Sequence, residues 1–176
     1  MNTEVGGTDE LRELYRELIL DHAKNPRHFG KLDAATHAAE GVNPLCGDKL
    51  KLYFTVDESG RIADARFEGS GCAISVASAS LLTDTVIGLD TDRALKYFET
   101  MVQRLAHAGN RNGNRNGNRN GDSARGRTEL LDDIDLGKLR ALEGVKDFPS
   151  RVKCATLAWH ALNSALLGKS RQVSTE

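Results

Sequence analysis

The chain has three cysteines, Cys46, Cys72 and Cys154, and each lies in a different local setting. Cys46 belongs to Asn43-Pro44-Leu45-Cys46-Gly47-Asp48, Cys72 to Gly69-Ser70-Gly71-Cys72-Ala73-Ile74-Ser75, and Cys154 to Arg151-Val152-Lys153-Cys154-Ala155. No Cys-x-x-Cys knuckle ties any two together, so only a folded chain brings them to one point. An odd number of thiols fits metal ligation or nucleophilic chemistry better than a disulfide framework. That requirement constrains the fold more than any other feature of the 176 residues.

The remaining composition excludes several classes. A chain of this length fits one domain, 1–176, with room for a loop insertion and short tails. The formal net charge is -1, which gives no global attraction to nucleic acid or anionic lipid. No apolar run approaches the roughly 20 residues that span a bilayer. The first residues have neither a basic n-region nor an apolar h-region, so a cytoplasmic location is the expectation.

Periodicity lays out the elements in order. Thr8 is the expected N-cap of a first helix, after a flexible 1–8, and Leu11, Leu14, Tyr15, Leu18 and Ile19 form its apolar stripe. That helix should end before Asn25-Pro26, because the residue preceding proline disfavours helical backbone. Asp21, His22, Arg27 and His28 cluster there and read as a solvated last turn. A short strand is expected over His37 to Glu40. Leu50, Leu52, Phe54 and Val56 alternate with polar residues in a second strand. A turn at Asp57 to Gly60 then leads into a third strand over Arg61 to Glu68.

The second half reads as helical. Ala73 to Ile87 is an Ala- and Ser-rich helix with Cys72 at its start, a setting in which the helix dipole favours a thiolate. A helix over about 91–108 follows, with Ala94, Leu95, Phe98, Val102 and Leu105 on one face. The Asn-Arg-Asn-Gly repeat, about 109–127, has nothing apolar to bury and is expected as a flexible insertion. It is locally basic but lacks aromatics for stacking on bases, which argues against nucleic acid as a partner. A short amphipathic piece lies within Leu130 to Leu142. Pro149 opens the last helix, with Cys154 expected in its first turn, and a frayed tail is expected over 169–176.

The hairpin between the second and third strands places Cys46 and Asp48 beside Cys72. Cys46, Asp48, Cys72 and Cys154 are a chemically sensible tetrahedral zinc set. By residue type alone, three small buried thiols remain an equal alternative.

The three cysteine segments resemble the motifs of the IscU/NifU-like iron–sulfur cluster assembly family. Leu14-Tyr15, Asp21-His22 and Asn25-Pro26-Arg27 match that family's first helix and the turn after it. The likeness spans about Leu11 to Leu167, with the Asn-Arg-Gly block as an insertion. Lys153 stands where the IscU-type scaffold has histidine, and Lys146-Asp147-Phe148-Pro149 replaces its Leu-Pro-Pro-Val-Lys segment. Both departures place the chain on the SufU-like side.

The resemblance implies an α+β fold, a small antiparallel three-stranded sheet packed against helices on one side. It implies zinc held by Cys46, Asp48, Cys72 and Cys154, with iron or an iron–sulfur cluster at the same ligands as the alternative. The implied activity is that of a sulfurtransferase-type shuttle. A histidine of a SufS-like, PLP-dependent cysteine desulfurase replaces Cys46 on zinc, and Cys46 takes the persulfide sulfur on towards a downstream iron–sulfur scaffold. The alternative role is that of a scaffold on which a cluster is assembled and handed on.

Overall fold

A computed structural model describes residues 4–106, 134–145, 148–169 and 172–175. The Asn-Arg-Asn-Gly block therefore lies outside the described residues. Helix α1 spans Glu4–Lys24, β1 His37–Asn43, β2 Asp48–Val56, β3 Ile62–Ser70, α2 Ala73–Val86 and α3 Thr91–Ala106. A 3₁₀ segment, Gly137–Val145, precedes α4, Pro149–Leu167, and β4, Gln172–Ser174. Helix α1 begins before the expected Thr8 cap, taking in residues assigned to a flexible terminus. A propagating helix gains one hydrogen bond per added residue, so its start is weakly punctuated. It ends at Lys24, as the following Asn25-Pro26 requires.

The sheet has four strands in the order β3-β2-β1-β4, which corrects the expected three-stranded antiparallel sheet. Strands β1 and β3 pair antiparallel with β2, while β4 pairs parallel with β1, Gly41 facing Val173 and Val42 facing Ser174. The tail expected to fray supplies this fourth strand. Its residues are mostly polar and carry no periodic signal, but the open edge of β1 offers unpaired backbone groups to satisfy. Val173 also packs against the core.

Helices cover one face of the sheet. Leu50, Leu52, Phe54 and Phe67 point into that face and are fully buried, while Lys49 and Lys51 point away. Helix α4 runs through the middle, touching β1, β2, α2 and α3. That position explains why it is buried nearly all round, from Cys154 to Ala165, with Trp159 wholly enclosed. Small residues on α2 let α4 approach closely. Ser78 donates to the Ala155 carbonyl at 2.6 Å and accepts the Trp159 indole N–H at 3.2 Å.

Two helical faces differ from expectation. In α1 only the C-terminal half of the stripe reaches the core, with Ile19 buried while Leu11 and Leu14 are exposed. In α3 the buried set is Ala94, Tyr97, Thr100, Met101 and Leu105, turned about one residue from the expected face. The end of α1 is also not simply solvated. Asp21 and Arg27 form an exposed ion pair at 2.6 Å, but His22 is buried, its Nδ1 2.7 Å from the Ser80 hydroxyl of α2. Desolvation is the main reason the His22 pKa lies below the ordinary histidine value.

Candidate metal centre

The site forms where β1, β2, α2 and α4 meet. Asn43 ends β1, and its carbonyl accepts the Cys46 N–H at 3.3 Å, closing a tight turn over Pro44 and Leu45. Gly47 then takes a left-handed φ of 69°, which returns the chain to β2 so that Asp48 pairs opposite Asn43. Cys46 thus sits at the tip of a hairpin beside Leu45, which is 69% exposed.

Asp48 opens β2 and is almost wholly buried. The register Lys49 to Ser70 sets it against the β3–α2 corner, where its Oδ1 accepts the backbone N–H of Cys72 at 2.8 Å. Cys72 is the N-cap residue of α2, with extended backbone and no side-chain cap bond. The corner requires glycine at position 71. A Cβ there would lie 2.6 Å from Ser75 Oγ and 2.7 Å from Asp48 Oδ1.

Cys154 comes from α4, beginning at Pro149, and therefore lies in the second turn and not the first. It is fully buried, so the expected helix-start setting is replaced by an enclosed one. Burial first, then hydrogen bonds to Cys46, Asp48 and Cys72, push the Cys154 thiol well above its ordinary pKa. An isolated buried thiol here stays protonated, and a bound cation reverses that preference.

The fold brings three of the four expected ligands into one cluster. Cys46, Asp48 and Cys154 each offer a ligand atom, and these atoms lie within 4.8 Å of one another. The thiols of Cys46 and Cys154 are 3.2 Å apart. Tetrahedral zinc with bonds of about 2.3 Å to sulfur separates two thiolates by about 3.8 Å, so a small outward movement of one side chain suffices. Cys72 lies at the margin, its Sγ 4.0 Å from Asp48 Oδ2 and 3.8 Å from Ser75 Oγ. Two thiols and a carboxylate, with a third thiol alongside, fit a thiophilic divalent metal.

Two further residues shape the site. Arg151 lies within electrostatic reach of Cys72 and Cys154, and these two thiols raise its pKa. Asn43 is fully buried, its amide Nδ2 3.4 Å from both Asp48 Oδ2 and Cys154 Sγ. Sequence reasoning placed Asn43 only in the segment that carries Cys46. Its single available signal was position, since a strand-ending asparagine before proline sits three residues from one ligand and five from another.

Residues 14–118 match the model of the NifU-like N-terminal domain. The chain belongs to that family. It is 40% identical over 159 residues to the zinc-dependent sulfurtransferase SufU of Bacillus subtilis, covering 89% of this chain and 91% of that protein. It is 38% identical over 160 residues to the iron–sulfur cluster assembly scaffold protein IscU of Streptococcus pyogenes, covering 89% and 85%. A crystal structure of an iron–sulfur cluster assembly scaffold protein for the SUF system from Fervidobacterium islandicum superposes with a TM-score of 0.65. That match has 31% identity and covers 88% of this chain and 98% of the other. Among the described residues no helix is long and apolar enough to cross a membrane.

Proposed function

We propose that this protein works in iron–sulfur cluster assembly as a zinc-dependent sulfur acceptor, with Cys46 receiving sulfur from a cysteine desulfurase. The observation that carries the reading is the convergence of Cys46, Asp48 and Cys154 within 4.8 Å, with Cys46 alone among them on a hairpin tip. The likeness to a zinc-dependent sulfurtransferase supports the same reading. Cys46, Asp48 and Cys154 would hold the metal, with the Cys72 thiol alongside as the fourth ligand. When bound, zinc keeps its cysteine ligands deprotonated at neutral pH, so that they remain nucleophiles.

The chain's own residues account for the rest. The Cys46 thiolate attacks the terminal sulfur of the desulfurase cysteine persulfide. A new sulfur–sulfur bond forms on Cys46, the old one breaks, and the desulfurase cysteine leaves as thiolate. Cys154 and Asp48 sit on a helix and a strand and keep the cage in place while the hairpin tip moves. Arg151 offsets negative charge as sulfur accumulates. Leu45, 69% exposed beside Cys46, provides an apolar anchor for the docking desulfurase, which we take to be SufS-like. A downstream iron–sulfur scaffold receives the sulfur.

The scaffold reading draws on the IscU relative and the same ligands. Lys153, standing where the IscU-type motif has a histidine, favours transfer. The test is desulfurase turnover with zinc-loaded, iron-free protein. Wild type is expected to stimulate turnover and Cys46→Ala to abolish the stimulation. Equal stimulation by the folded Cys46→Ala protein would overturn the assignment.

A further inference from the structure

Two buried polar side-chain atoms have no hydrogen-bond partner among the described residues, Asn43 Oδ1 and Thr175 Oγ1. Their placement relates them. Ser174 of β4 pairs with Val42 of β1, and the Thr175 N–H donates to the Val42 carbonyl at 3.2 Å. Thr175 therefore falls across from Asn43 on the neighbouring parallel strand. In-register residues of such strands project to the same face, and both residues are buried.

The orientation of the Asn43 amide follows from its neighbours. A carboxylate only accepts hydrogen bonds, as does a metal-bound thiolate, so Nδ2 must face Asp48 and Cys154. The carbonyl Oδ1 is thereby directed away from the cage and left to find a donor elsewhere. An unpartnered buried oxygen is destabilising. A threonine hydroxyl is both donor and acceptor, so it can satisfy Oδ1 directly or through one buried water.

We infer that Asn43 is a positioning residue of the metal cage and that Thr175 ties it to the C-terminal strand. In this arrangement the Thr175 hydroxyl donates to Asn43 Oδ1, directly or through one water. The Asn43 amide then donates to Asp48 and Cys154, holding a carboxylate on β2 and a thiolate on α4 at a common distance. Strand β4 becomes a clamp on the metal cage. The inference rests on the metal-binding reading but not on sulfur transfer. Outer hydrogen bonds of this kind orient ligands and tune their donor strength.

The test compares Asn43→Ala, Thr175→Val and Thr175→Ser with wild type in three measurements. These are zinc affinity by chelator competition, the thiolate-to-metal charge-transfer spectrum of the cobalt(II)-substituted protein, and urea stability of the reduced, metal-free protein. Asn43→Ala is expected to weaken zinc binding about 10- to 100-fold. Thr175→Val is expected to weaken it in the same direction by a smaller factor. Both should shift the cobalt charge-transfer band, and Thr175→Ser should restore wild-type values.

A purely structural role would lower metal-free stability and leave the cobalt spectrum unchanged, which would overturn the inference. Wild-type affinity and spectrum in Thr175→Val would remove the clamp, and that variant decides the matter if Asn43→Ala does not fold. A folded wild-type chain that binds neither zinc nor cobalt would overturn the metal reading itself. Intact metal binding without desulfurase stimulation would overturn sulfur transfer and leave the clamp standing.

Discussion

The thiols of Cys46 and Cys154 lie 3.2 Å apart, although 108 residues of chain separate them. One is at a hairpin tip and the other is buried in α4, so their meeting couples the sheet to the central helix. A metal shared between them should therefore stabilise the whole fold. Ligand binding to the folded state alone contributes about 4 kcal/mol at a thousandfold excess over Kd. Removing zinc with a chelator under reducing conditions should lower the thermal midpoint, and readdition should restore it. Calorimetry of the two forms checks this, and an unchanged midpoint would rule out a shared metal.

Gly71 stands between Asp48 and Ser75 with no room for a methyl group. Gly71→Ala should displace the Asp48 carboxylate from the Cys72 N–H. We expect a loss of about 1–3 kcal/mol of stability, the usual range for overpacking, together with weakened zinc binding. Gly47→Ala provides the contrast. Its Cβ meets open space, so only the left-handed backbone is strained, at about 1–2 kcal/mol. Urea titrations of both metal-free variants, paired with chelator competition, separate the two effects.

His22 gives the fold a pH dependence that does not involve the metal ligands. Its folded pKa is lowered by burial, while the unfolded chain has the ordinary value of about 6.5. Below that value the unfolded state binds a proton that the folded state resists, so stability falls as pH falls. It is fully present above the unfolded pKa and is lost progressively towards and through the folded one. His160 is shifted the same way by burial and adds to the trend. Between pH 7 and 5, metal-free His22→Gln should show a flatter stability profile than wild type. An identical slope would show that His22 does not contribute.

Ser78 serves two buried partners at once, the Ala155 carbonyl and the Trp159 indole. Ser78→Ala leaves the indole N–H without an acceptor inside the core. The expected cost is about 1–3 kcal/mol, read as a lower urea midpoint with an unchanged slope. Quenching or a shift of the single tryptophan's fluorescence would report the same change locally.

Much of this architecture was legible locally. The alternation from Leu50 to Val56 marked a half-buried strand, and Asn25-Pro26 marked the end of α1. Hairpin pairing alone was enough to bring Asp48 beside Cys72, because neighbouring strands fix their own register.

What the tertiary structure decided concerns groups distant in sequence or silent in pattern. The burial of His22 depends on α2 packing against α1, which no periodicity within α1 expresses. Residues 172–174 carry no strand signal, and they pair because β1 has an open edge. Cys154 is enclosed because α4, starting at Pro149 as expected, passes through the core. Asn43 read only as the start of the Cys46 segment until Asp48 and Cys154 closed around its amide. Local pattern determines which elements form, because backbone geometry repeats every 2 or about 3.6 residues. Which side chains meet is set by packing between elements, and the cage of Cys46, Asp48 and Cys154 exists only at that level.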